Sequence, residues 1–124
     1  MPHLVLVGEV DFERVANHLP RAVHRLGRAV LKTEDCWVRW DREALLIEGV
    51  VVEFSRPLHP VAVVARHHDD TVVRLWSRAS VERTRPVQRW LCLLAAELQR
   101  LGVGPVKVTN IPVELWSDLG LATV

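Results

Sequence analysis

From His3 to Val7 the chain is short and mostly apolar, with Gly8 and Asp11 behind it, which predicts a first strand. From Phe12 the period changes. Phe12, Val15, Leu19, Ala22, Val23 and Leu26 recur at helical spacing. Asp11 suits an N-cap, Glu13 the first turn, and Gly27 a C′ position. Pro20 lies inside this run and predicts a kink or a restart of the helix. The middle reads as strands. Arg28 to Leu31 is extended, and Cys36 to Trp40 alternates, with Arg39 between Val38 and Trp40. Asp41-Arg42-Glu43 reads as a turn. Ala44 to Phe54 is a long β-leaning run, with Gly49 as a candidate bulge. Ser55 to Pro60 carries two prolines and reads as a loop. Val61 to Arg66 and Thr71 to Trp76 are strands around a His67-His68-Asp69-Asp70 hairpin turn.

The second helix has the clearest pattern. Val87, Trp90, Leu91, Leu94, Ala95, Leu98 and Leu101 form one stripe. Thr84 is its predicted cap, Pro86 suits its first turn, and Gly102, Gly104 and Pro105 end it. Val106 to Ile111 is a last strand, and the tail holds a helical turn around Glu114 to Leu119. The order is β-α-β, further strands, then β-α-β. Helical crossovers imply parallel pairs. The expected fold class is therefore α+β. Two β-α-β units form one mixed sheet with two helices on one face and extra strands in the middle.

At 124 residues, residues 1–124 are expected to form a single domain. Composition changes the picture by exclusion. Hydrophobic residues at 49% and charged residues at 25% argue against disorder. Sixteen basic and fifteen acidic residues argue against an electrostatic nucleic-acid binder. No apolar run is long enough for a membrane helix, and the N-terminus lacks a cationic leader region. Cys36 and Cys92 lie in apolar runs without metal spacing, so they read as buried reduced thiols. A cytoplasmic location is the expectation.

Met1-Pro2-His3-Leu4 opens directly into the first strand, and Val72 to Arg78, a helix and Val106 to Pro112 follow later. These stretches resemble the tautomerase superfamily, in particular a branch whose members begin Met-Pro-His. Leu91 to Leu98 is similar to the second helix of macrophage migration inhibitory factor. Cys36 to Trp40 resembles the second strand of 4-oxalocrotonate tautomerase. The likeness covers strand one and the last fifty or so residues, leaving Ala44 to Pro60 as an apparent insertion.

The resemblance implies a homotrimer with sites at subunit boundaries. It also implies keto–enol chemistry on a small substrate, without a cofactor. Pro2, freed of Met1, is then the catalytic general base, a secondary amine whose pKa falls when it is buried near cations. Arg78 and Arg39 orient the substrate and stabilise its enolate. Arg74 alternates with apolar neighbours and reads as a solvated face residue. Glu9 and Asp11 depart from the family, which places a basic residue after strand one.

Two alternatives stand beside the enzyme. One is a non-catalytic homo-oligomeric binding or scaffold protein of the same fold. The other is an unrelated α+β dimer whose tryptophans form the interface. Trp76 and Trp116 are candidates to line a pocket or an interface. His67, His68, Asp69 and Asp70, with His59 nearby in sequence, have metal-ligand chemistry. Neighbouring strand residues point to opposite faces, however, so solvated hairpin residues are the plainer reading.

Overall fold

The computed structural model describes residues 1–124. Its order is β1 (His3–Leu6), α1 (Phe12–His18), β2 (Val23–Leu26), β3 (Ala29–Val38), β4 (Ala44–Glu53), β5 (Arg56–Leu58), β6 (Val61–His67), β7 (Asp70–Leu75), α2 (Arg85–Arg100) and β8 (Val106–Thr109). A short 3-10 turn, Val113–Leu115, follows. The strands form one curled sheet in the order β2-β3-β4-β6-β7-β1-β8, with β5 also paired to β4. Every named strand pair is antiparallel.

This overturns the expected pair of β-α-β units, and with it the tautomerase-like, migration-inhibitory-factor-like fold. Neither expected parallel pair forms: β1 lies between β7 and β8 and is antiparallel to both, and β2, which follows α1, pairs only with β3. The first helix is the reason. Pro20 stops α1 after seven residues rather than kinking it. The residue before a proline avoids helical angles, and Leu19 is extended at φ −69°, ψ 120°. A helix of about 10 Å cannot carry the chain back as a crossover. The chain instead moves to the far edge of the sheet and begins β2, where Val23 is 58% exposed. Gly27 has positive φ as a helix C′ residue would, but it sits in the tight turn that pairs Leu26 with Ala29. From β2 to β7 the chain then meanders through successive hairpins.

Three further expectations are corrected. The apparent insertion, Ala44 to Pro60, contains β4, a central strand with β3 on one side and β6 on the other. The register shift lies in β3, between Thr33 and Cys36, and not at Gly49. Part of the expected loop is β5, folded back on β4 through Phe54 and Ser55, both with positive φ. The His68–Asp69 turn and the second helix form as their patterns predict. Thr84 caps α2 by accepting from the Val87 N–H.

The inner face of the sheet holds α2. Leu4, Leu6, Leu31, Leu45, Ile47, Val64, Val73 and Leu75 are buried there with Trp90, Leu91, Leu94 and Leu98. Burial of these large apolar side chains is the main stabilising contribution, roughly 1.5–3 kcal/mol for each aliphatic one. Trp90 occupies the centre. Its Nε1 donates to Thr33 Oγ1 at 3.1 Å, and its ring lies against Gly49. The C-terminal tail adds to the packing around α2. Arg89 donates to the Leu115 carbonyl and to Asp118, and Gln99 bonds both the N–H and the carbonyl of Ala122.

Candidate functional site

The outer face of the sheet has neither helix on it, and cross-strand register defines its rows. Trp37, Leu46, Val63, Arg74 and His3 oppose one another across five strands. Beside them, Ala44, Ala65, Val72, Val5 and Val108 form a second row. Glu48 and Val61 oppose each other in a third, where the Trp76 N–H donates to the Val61 carbonyl. An antiparallel sheet with one solvated face normally alternates apolar and polar residues. Here the outward positions are apolar over most of the central strands.

A cavity of about 280 Å³ opens on this face between Trp37, Leu46, Val63 and Trp76, with Arg39 and Arg74 in its wall. Val63 forms part of the lining and is only 7% exposed. The two arginines differ. Arg39 Nε donates to Asp41 Oδ1 at 2.7 Å. That hydrogen bond holds Asp41 below the usual carboxylate range and raises Arg39 further. Arg74 is half-buried and has no carboxylate within ion-pair distance. Trp37 Nε1 is occupied by the Glu48 carboxylate. The cavity thus combines apolar walls with one uncommitted guanidinium.

The remaining sequence candidates lie elsewhere. Pro2 is buried immediately before β1. The Met1 carbonyl accepts from Asn110 Nδ2 and contacts His3 Nδ1 at 3.0 Å. Arg78 is exposed in the turn after β7. The outer cavity includes Arg39 but neither Pro2 nor Arg78. Trp76 lines the cavity, whereas Trp116 turns inward and donates to the Ile111 carbonyl. The residue that the sequence reading undervalued is Arg74. Its signal was the unbroken apolar character of the strands facing it, such as Val61-Ala62-Val63-Val64-Ala65.

His67 and His68 both touch, edge to face, with ring centroids 4.5 Å apart. Strand alternation does not separate them, because His68 has left-handed angles in the turn. Asp70 is committed to Lys107 Nζ and the Gly8 N–H, and both bonds hold its carboxyl below the usual range. No three His, Cys, Asp or Glu side chains converge as metal ligands. Burial pushes the Cys36 thiol up to about 11 and the Cys92 thiol up to about 12, so neither is a ready thiolate. No helix is long and apolar enough to cross a membrane. No family model matches the chain, and no curated protein or solved structure matches it.

Proposed function

We propose that the chain binds a small, flat organic acid in the outer cavity. The carboxylate pairs with Arg74, and the apolar body lies among Trp37, Leu46, Val63 and Trp76. The observation that carries this reading is the unpaired Arg74 guanidinium in the wall of a mostly apolar concavity, whose other arginine, Arg39, is tied to Asp41. Guanidinium groups suit carboxylates because two parallel N–H donors match two oxygens. Indole faces suit a planar apolar body. At about 280 Å³ the cavity lies at the lower end of small-molecule pocket sizes, which suits a short or single-ring acid. A keto acid fits that description as well as an aromatic carboxylate does.

Binding is better supported than proton transfer. Asp41 is engaged by Arg39 and Glu48 by Trp37, and neither acid is free to act as a base. Pro2 does not line the cavity.

The test is a titration of intrinsic tryptophan fluorescence with benzoate and phenylacetate, using benzamide and benzyl alcohol as neutral controls. Ligands of this size reach roughly −5 kcal/mol, so dissociation constants of about 0.2 mM are expected for the acids. The neutral analogues should bind about tenfold more weakly, and Arg74→Met should abolish the difference without lowering the melting temperature. Equal binding of acids and neutral analogues would show that Arg74 is not the recognition group.

A further inference from the structure

We infer that the outer sheet face is covered by a second copy of this chain, related by a two-fold axis lying between the two faces. This rests on the pattern of the strands and stands apart from the ligand reading. Alternation is missing where it should be strongest. In β4, Ala44, Leu46, Val50 and Val52 face outward, and in β6 Val61, Val63 and Ala65 do so. Val72, Val5 and Val108 continue the apolar surface across three more strands. Strands that are apolar on both sides belong to sheets covered on both sides. The helices cover only one.

The face is large enough. Five steps of ~4.8 Å from β3 to β8, and about 20 Å along the strands, give a footprint of about 500 Å² before side-chain relief. A small stable interface takes roughly 600–800 Å² of accessible surface from each partner.

Charge argues for self-pairing over a strongly acidic or basic partner. The face carries Arg39 and Arg74 together with Asp41 and Glu48. Asp41 and Glu48 are already engaged within the chain by Arg39 and Trp37, so the face offers little to a strongly charged partner, and a net charge of +1 adds little repulsion between copies. Trp37 is 59% exposed on the face, and Trp40, in the turn that follows β3, is 91% exposed. Tryptophan and arginine are the residues most often found at the energetic centre of interfaces. A two-fold contact uses each such residue twice. A facing copy would also give the shallow cavity the wall it lacks.

The oligomeric state decides the matter. Light scattering on the ligand-free protein should give about twice the 14.1 kDa chain mass. Leu46→Lys and Val72→Lys should each yield monomer while keeping the wild-type circular dichroism spectrum. Gln88→Lys, on the far side of α2, should leave the dimer intact. A wild-type mass of one chain or of three at every concentration overturns the inference, whatever the variants do. A dimer that survives both face substitutions in folded protein overturns the assignment of this face. A dimer that does not prefer carboxylates removes the ligand reading alone. A carboxylate-binding monomer removes this inference alone.

Discussion

Gly49 shows how much a single missing carbon can matter. A Cβ there would stand 2.5 Å from Trp90 Cζ2, well inside contact distance. The indole cannot easily yield, because its Nε1 is tied to Thr33 and its ring is enclosed by the core. Gly49→Ala should therefore cost about 1–3 kcal/mol, the range for overpacking a filled core. The check is chemical denaturation: a lower midpoint at unchanged slope is expected, and unchanged stability would mean that the ring moves freely. The sequence shows a glycine inside a strand pattern, which fits a bulge and a close approach equally well. Only the position of Trp90, 41 places away in a different element, separates the two. Arg74 was hidden for a related reason. A lone arginine among valines reads as solvated until the register sets Val63 and two indoles around it.

Among the elements, the helix with a complete set of local signals was legible and the incomplete one was not. α2 has its cap, its apolar stripe and its terminating glycines, and it forms where they indicate. α1 has a good cap in Asp11, but the apolar spacing running past Pro20 belongs to β2 and not to the helix. The β4–β5 turn is another local conflict. Phe54 and Ser55 both take left-handed angles, at φ 53° and 59°, in a two-residue turn that favours Asn-Gly. Left-handed angles cost an ordinary residue roughly 1–2 kcal/mol. Replacing the pair with Asn-Gly should raise stability by about 1 kcal/mol or more, read as a higher melting temperature. Phe54 is largely exposed, so little packing is lost. A fall in melting temperature would show that the phenyl ring contributes more than the turn.

For the whole molecule, strand content and the second helix could be read locally, but strand order could not. Parallel and antiparallel placements of a strand leave the same residues apolar, and it is the short first helix that sends the chain from β1 to β2 at the far edge. That topology bears on biosynthesis. The N-H of His3 bonds to Asn110, 107 positions away, and β1 has no partner before residue 71. The β2–β7 meander closes from near neighbours, which favours early formation, whereas distant pairings come late. On the ribosome, the first strand to emerge is therefore expected to wait for β7, its first partner, and to be flanked on both sides only once β8 is made. Nascent chains stalled after β7 should already protect the meander from protease while leaving the α1 region open to cleavage. Protection of both together would show that the sheet assembles in one step. Until that late closure, the valine-rich face described above is exposed beside an unpaired strand edge, and slow synthesis lengthens its exposure to chaperones and to other nascent copies.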